Sequence, residues 1–184
     1  MKKKIISGVS VELVKGDIVR QKDLTAVVNA ANAWLSSGAG VAGAIHRAAG
    51  PALAEECKAL APIRPGEAVI TAGHNLPNKF VIHCLGPVYG LDEPAAAILA
   101  ACYGNVLGLA EKEKIDSVGF PALSTGVFGY PIEAAAEVAL KTIMSILPEL
   151  LHVKRIRFVL FNTEALNVYE ATLALLLSES SRSA

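Results

Sequence analysis

Three loop-like stretches of the sequence contain residues that could bind an anionic ligand or act on it. The first reads KGDIV and places Asp17 and Ile18 directly after a strand-like run. The Asp17 carboxylate could accept hydrogen bonds from an exocyclic amine such as that of adenine. It could instead be a turn aspartate or a helix cap, which is the more common role of a lone aspartate.

The second stretch, residues 29–50, reads NAANAWLSSGAGVAGAIHRAAG and contains no carboxylate. Its glycines permit close approach of the backbone to a ligand, and the following helix would present unpaired N–H groups. These glycines are Gly38, Gly40 and Gly43. Asn29 and Asn32 are neutral donors and acceptors that suit sugar hydroxyls. The glycine spacing is not GxGxxG, so a plain strand-to-helix turn is the alternative interpretation.

The third stretch, ALSTGVFGYP at residues 122–131, also joins a strand-like run to a helix-like run. Its hydroxyl groups and exposed N–H groups are typical of a diphosphate-binding loop. They belong to Ser124, Thr125, Gly126 and Gly129. The GK[ST] ending of a P-loop is missing, which does not support hydrolysis of a nucleoside triphosphate. Phe128 could pack on a sugar or simply anchor the loop.

Alternating strand-like and helix-like runs surround these stretches. The predicted strands are residues 9–16, 26–30, 67–73, 79–86, 117–123 and 155–162. The predicted helices are residues 41–60, with a break near Gly50-Pro51, and residues 94–114, 131–147 and 163–178. Apolar strands flanked by helices indicate an α/β sheet covered on both faces. The two strands within 67–86 leave no room for a helix, so a turn near residues 75–78 and a mixed sheet are expected.

Composition limits the classes of function. The 184 residues fit one domain, and Lys+Arg and Asp+Glu both total 17, so the net charge is zero. A neutral chain is a poor nucleic-acid binder, which argues against a nucleic-acid-associated protein. The three cysteines, Cys57, Cys84 and Cys102, form no CxxC pair, and no signal peptide or membrane span is evident. A cytoplasmic protein without membrane partners, bound metal or cofactor is therefore expected.

Taken in order, the motifs resemble those of the macrodomain family, which binds ADP-ribose, and most of all its bacterial and MacroD-type branch. They are GDI at 16–18, VVNAAN at 27–32, GAGVAGAIHRAAG at 38–50, GEAVITAGHNLPNKFVIHCLGPVY at 66–89 and PALSTGVFGYP at 121–131. The resemblance implies a single macrodomain over residues 1–184. Its fold would be a three-layer α/β/α sandwich around a mixed, mostly parallel sheet of about six strands.

The resemblance also implies a role for each matching residue. Asp17 would bind the adenine amino group, with the Ile18 backbone beside it. Phe161 would stack on adenine, and Asn162 would face the same pocket. Asn32 would contact the distal ribose and is the residue expected to be catalytic. The distal ribose and the diphosphate would be lined by Gly38, Gly40, Val41, Ala42, Ser124, Thr125, Gly126, Val127, Phe128 and Gly129, with Phe128 near the ribose.

Ala42 leaves the activity open between two hypotheses. Hydrolytic MacroD-type members usually have Asp at this position, whereas viral macrodomains resembling GVAGA also have Ala and are regarded as hydrolases. The first hypothesis is hydrolysis of mono-ADP-ribosyl esters, either on acidic side chains of proteins or in O-acetyl-ADP-ribose. The second is a non-catalytic reader of ADP-ribose. His46 could share a helix face with Ala42, but a structural role is expected for it. His83 and Cys84 are neighbours on one strand and point to opposite faces.

Overall fold

A mixed seven-stranded sheet lies at the centre of the structure, a computed structural model that describes residues 2–182, with side chains as far as Ser180. The strands are β1 (Lys2–Ile6), β2 (Val9–Lys15), β3 (Ala26–Ala30), β4 (Ala68–Ala72), β5 (Phe80–Cys84), β6 (Ser117–Phe120) and β7 (Arg155–Leu160). Their spatial order is β1-β2-β7-β6-β3-β5-β4. The five central strands are parallel, and the edge strands β1 and β4 are antiparallel to their neighbours. The mixed, mostly parallel sheet is therefore confirmed.

Strand β1 is an addition to the six strands that the sequence predicts. It pairs only with β2, from Lys2 opposite Leu13 to Ile6 opposite Val9. Its side chains are half-buried or exposed, so the segment lacks the apolar pattern of the buried strands. The strand begins with three lysines. Lysines on an edge strand hinder its pairing with another chain, and here they give the strand a basic, solvent-facing sequence.

Five helices cover the two faces of the sheet within the described residues. They are α1 (Gly40–Ala49), α2 (Pro51–Lys58), α3 (Ala95–Lys112), α4 (Ile132–Ile146) and α5 (Thr163–Arg182). The predicted break between α1 and α2 falls at Gly50, whose φ of +82° is accessible to glycine and which is followed by Pro51. None of these helices is long and apolar enough to cross a membrane, considering only the residues described.

Two hydrophobic cores result, because alternate residues of each strand face opposite sides. Helices α3, α4 and α5 cover the larger core, where an aromatic row runs through Tyr103, Phe120, Phe158 and Tyr169. Helices α1 and α2 cover the smaller core, which contains Val27, Val81 and Val159 of the sheet. These two cores make the domain a three-layer α/β/α sandwich.

The carboxyl ends of the parallel strands meet at one edge of the sheet, where ligands of open α/β sheets bind. Three of the connections that begin there concern the site. We name them the β2 loop (residues 16–25), the β3 loop (residues 31–39) and the β6 loop (residues 121–131). The end of β7 lies between the β2 and β6 loops, because β7 pairs with both β2 and β6.

Candidate functional site

A cavity of about 240 Å³ lies between the β3 loop, the start of α1 and the β6 loop. Its lining consists mainly of small residues whose backbone is accessible. They are Ala30, Ala31, Asn32, Gly38, Ala39, Gly40, Val41, Ala42, Ala122, Ser124, Gly126, Val127 and Phe128. Nine of these lining residues were predicted from the sequence to belong to the site. They come from two stretches that lie far apart along the chain, and the structure brings them together.

Asn32 organises the β3 loop through hydrogen bonds to Ser36. Its Oδ1 accepts from the backbone N–H of Ser36 at 3.1 Å and from its hydroxyl at 3.2 Å. Its Nδ2 donates to the Ser36 carbonyl at 3.0 Å. Because an amide nitrogen carries two hydrogens, one N–H of Asn32 remains available to a ligand in the cavity.

The N-terminus of α1 forms one wall of the cavity. Its N-cap residue, Ala39, has no side chain that could cap the helix. The N–H groups of Gly40, Val41 and Ala42 therefore have no side-chain partner, and the helix dipole concentrates partial positive charge there. Gly43 packs directly on the β3 loop, since a Cβ at this position would lie 2.2 Å from the Gly38 carbonyl oxygen.

The β6 loop forms the opposite wall. Its shape is held by bonds from the Tyr130 N–H to the Ser124 carbonyl at 3.0 Å and from the Thr125 hydroxyl to the Ala122 carbonyl at 2.9 Å. Ser124 adopts φ +63°, and its buried hydroxyl has no hydrogen-bond partner among the described residues. The backbone N–H groups of residues 125–128 also donate to no acceptor within the described part of the protein. This wall offers a row of donors to an anion.

Close packing around Ser124 requires glycine in the neighbouring connection after β5. A Cβ at Gly86 would lie 2.1 Å from the Ser124 hydroxyl oxygen. The same connection contacts the β6 loop through the Tyr89 N–H, which donates to the Phe128 carbonyl at 2.9 Å. The rings of Tyr89 and Tyr130 also pack with centroids 4.8 Å apart. The connection after β5 thereby supports the β6 loop.

No ionisable side chain lines the cavity in the described structure. The nearest candidate in the sequence, His46, is buried beneath the β3 loop. Burial lowers the pKa of His46 below its ordinary value of 6.5, so the imidazole is neutral at neutral pH. This agrees with the structural role expected for His46, and the cavity has no side chain suited to general acid or base catalysis.

Six predicted binding residues do not line this cavity: Thr125 and Gly129 lie within the β6 loop, and the other four lie further along the same edge of the sheet. Asp17 caps the short 3₁₀ turn Ile18–Arg20, because its Oδ1 accepts from the Val19 N–H at 3.1 Å. Ile18 is buried in the smaller core. Phe161 is 87% exposed at the end of β7, and Asn162 caps α5 by accepting from the Ala165 N–H at 2.8 Å.

A buried histidine network replaces the adjacent Cys–His pair considered from the sequence. His83 contacts Asn29 Nδ2 at 3.0 Å, the Thr71 hydroxyl at 2.9 Å and Cys57 Sγ at 3.8 Å. Burial lowers the pKa of His83 to about 3 and raises that of Cys57 to about 11, so neither group is a nucleophile or a base. Asn29 is completely buried here and does not reach the cavity, unlike Asn32. Cys57, Cys84 and Cys102 are all free and buried.

Sequence reasoning overlooked two features of the site. Ala30, Ala31, Ala39 and Ala122 also line the cavity, although alanine carries no functional group that would draw attention. Their position beside the Asn32 and Ser124 motifs is the only signal in the sequence. Ser36, which fixes the Asn32 side chain, follows it by four residues in the predicted loop.

Among residues 2–182 there is no group of three or more metal-ligating side chains.

The fold and the cavity define an α/β/α domain that presents helix and loop N–H groups to an anion at the carboxyl edge of its sheet. The family model for the macro domain matches residues 28–139. An O-acetyl-ADP-ribose deacetylase of Klebsiella pneumoniae is 45% identical over 172 residues, covering 91% of this chain and 98% of that protein. A macro domain-containing protein of Chlorobaculum tepidum is 44% identical over 168 residues, with coverage of 91% and 97%. The chain belongs to the macro domain family.

Solved structures agree with this assignment. The macrodomain of Oceanobacillus iheyensis with ADP superimposes with a TM-score of 0.93 at 39% sequence identity, over 97% of each chain. The Trypanosoma brucei macrodomain in complex with ADP-ribose gives a TM-score of 0.80 at 38% identity, over 88% of this chain and 68% of that one.

Proposed function

We propose that this protein binds ADP-ribose and hydrolyses esters at its distal ribose. The order of the loops along the sheet edge carries the proposal. Asp17 and Phe161 follow β2 and β7, the β6 loop comes next, and Asn32 follows β3. A ligand with adenine at one end, a diphosphate in the middle and ribose at the other end would meet these groups in that order.

The unpaired N–H groups match the charge of such a ligand. A diphosphate placed between the β6 loop and the start of α1 would accept from groups that have no protein partner within the described chain. Oriented N–H groups and a helix N-terminus stabilise phosphate without Lys or Arg. The cavity of about 240 Å³ is smaller than a typical drug-sized ligand site of about 300–1,000 Å³. It would hold the phosphates and distal ribose, with adenine in the open cleft beside Asp17.

The chemistry proposed is cleavage of an ester on the distal ribose by water. Water adds to the ester carbonyl, the bond to the ribose oxygen breaks, and the products are a carboxylic acid and the free ribose hydroxyl. With no ionisable group in the lining, the protein would act by orienting the ribose and the water through Asn32, and orientation alone can lower a barrier substantially. Relatives named O-acetyl-ADP-ribose deacetylase at 45% identity support an ester substrate.

Asn32→Ala is expected to slow ester cleavage by about tenfold to hundredfold, because it removes the one side-chain amide in the cavity. The measurement is a time course of ADP-ribose release from a protein mono-ADP-ribosylated on glutamate, with O-acetyl-ADP-ribose as a second substrate. Because Asn32 also holds Ser36, Ser36→Ala serves as a matched control for a loosened loop. Equal rates for the wild type and Asn32→Ala would count against the site.

The pH dependence of kcat/KM is expected to show no inflection between about pH 6.5 and about pH 8.5. The lining has no titratable side chain, and the lowered pKa of His46 keeps this residue neutral throughout that range. The measurement is kcat/KM for O-acetyl-ADP-ribose in constant-ionic-strength buffers, corrected for spontaneous hydrolysis. A bell-shaped profile centred in this range would show that an acid or base outside the lining takes part.

A non-catalytic reader of ADP-ribose is the second candidate, and Ala42 is the observation that favours it. Its methyl group is buried in the cavity wall where hydrolytic members usually have Asp. A reader would be stabilised thermally by ADP-ribose yet release none from the modified protein over hours. Ala42→Asp completes the comparison: release by this variant and none by the wild type would identify the substitution as the cause.

A further inference from the structure

The side chain of Gln21 holds the turn at residues 17–20, which we name the Asp17 turn. The Nε2 of Gln21 donates to the Asp17 carbonyl oxygen at 2.8 Å, and the Arg20 N–H donates to the same oxygen at 3.1 Å. One carboxylate oxygen of Asp17 is used by the Val19 N–H, while Oδ2 lies 3.9 Å from Nε of Arg20. The side chain is 46% exposed, so its direction depends on how firmly this turn is fixed.

Gln21 is in turn fixed by buried groups of the sheet. Its Oε1 accepts from Nη1 of Arg157 at 2.9 Å. The guanidinium of Arg157 is itself immobilised by Glu12 at 2.7 Å and by two bonds to Asp23 at 2.8 and 2.7 Å. The Gln21 backbone is held as well, since Nδ2 of Asn78 donates to its carbonyl at 2.8 Å. A continuous chain of bonds therefore runs from the middle of β7 to the Asp17 turn.

We infer that Gln21, anchored by Arg157, is a positioning residue that aims Asp17 at the amino group of adenine and so sets the preference for that base. The inference rests on the proposed function, in which Asp17 meets adenine. A carboxylate fixed in direction accepts from the amino group of adenine and opposes a carbonyl oxygen at the same place. A carboxylate free to turn toward Arg20 would lose this discrimination without losing the rest of the site.

Two variants of Gln21 separate its two bonds. Gln21→Glu keeps an acceptor for Arg157 but has no N–H to donate to the Asp17 carbonyl, and Gln21→Met removes both bonds. Lys22→Met is the matched control, because Lys22 is the exposed neighbour in the same loop. Asp17→Asn tests the carboxylate itself. These substitutions avoid Arg157, whose loss would leave Glu12 buried without its partner.

The experiment measures the affinities of the full chain for ADP-ribose and for inosine diphosphate ribose, in which a carbonyl replaces the adenine amino group. The wild type and Lys22→Met are expected to favour ADP-ribose by about tenfold or more. In Gln21→Glu, Gln21→Met and Asp17→Asn, this ratio is expected to fall to about threefold or less, because ADP-ribose loses a hydrogen bond and a fixed carboxylate no longer opposes the inosine ligand.

Each other outcome is informative in a different way. An unchanged ratio in the Gln21 variants, with ADP-ribose still bound, would overturn the positioning role and leave the proposed function intact. A parallel loss of affinity for both ligands would mean that Gln21 only maintains the fold of the β2 loop, which also overturns it. Binding of neither ligand by the wild type would refute the proposed function and this inference with it.

Discussion

Gly43→Ala is expected to weaken the binding of ADP-ribose by about 30-fold, which corresponds to about 2 kcal/mol. The new Cβ would lie 2.2 Å from the Gly38 carbonyl oxygen, far inside van der Waals contact. The atom it meets belongs to the backbone, so the β3 loop must move away from α1. Gly38 in turn lies beside Asn32, since a Cβ on Gly38 would be 3.6 Å from Nδ2 of Asn32. The clash therefore displaces one wall of the cavity.

A helical glycine elsewhere provides the control for this prediction. Gly43 lies within α1, where alanine would by itself favour the helix by about 0.5–1 kcal/mol. Gly108 lies within α3, and a Cβ there meets nothing within 4 Å. Gly108→Ala is expected to raise the free energy of unfolding slightly and to leave binding unchanged. Titration calorimetry with ADP-ribose and urea unfolding of both variants give the comparison. Wild-type affinity in Gly43→Ala would show that the β3 loop adapts without cost.

Arg157→Met is expected to lower the free energy of unfolding by about 3–5 kcal/mol. The guanidinium side chain is 10% exposed and pairs with Glu12, which is 4% exposed. Removing the cation leaves the Glu12 carboxylate buried, with the Ser10 hydroxyl at 3.2 Å as its one remaining side-chain partner among the described residues. An unpaired charge in the interior is costly, whereas removal of both charged partners often costs little.

Urea unfolding of Arg157→Met and of the double variant Glu12→Gln/Arg157→Met measures this effect. The double variant is expected to regain much of the lost stability, because no buried charge remains unpaired. If the free energy of unfolding of the single variant falls by less than about 1 kcal/mol, the Glu12–Arg157 pair contributes no more than an exposed salt bridge does. An unstable double variant would instead show that the packing of the Arg157 side chain matters more than its charge.

The same ion pairs predict how stability depends on acid. Hydrogen bonds from Arg157 lower the pKa of Asp23 to about 2 from an ordinary value of 3.8. A carboxyl group whose pKa is lower in the folded state contributes stability above its unfolded pKa and loses it as the pH falls toward its folded pKa. The wild type should therefore lose this contribution between about pH 4 and about pH 2, and Arg157→Met should lack that part of the acid response.

Local sequence patterns were enough to predict the type and order of the buried elements. Residues 26–30 and 155–162 predicted strands because both runs are rich in apolar residues, as is typical of strands covered on both faces. Gly50-Pro51 predicted the break between α1 and α2 because glycine ends a helix and proline begins one. The motifs around Asn32 and Ser124 were likewise visible, since their glycines and hydroxyl groups are local signals of a loop that approaches a ligand.

Which of these residues lie together, and which hydrogen-bond partners they have, depends on the tertiary structure. The pairing of β3 with β6 brings Asn32 and Ser124 into the lining of one cavity, although they lie some 90 residues apart and no local pattern encodes this proximity. Strand β1 forms only because β2 offers it a free edge. Asn29 and Asn32 look alike in the sequence, yet the pleat of β3 buries the first against His83 and leaves the second at the cavity. Likewise, Arg157 reaches Gln21 only once β7 lies beside β2, because hydrogen-bond partners are set by distance in space and not by distance along the chain.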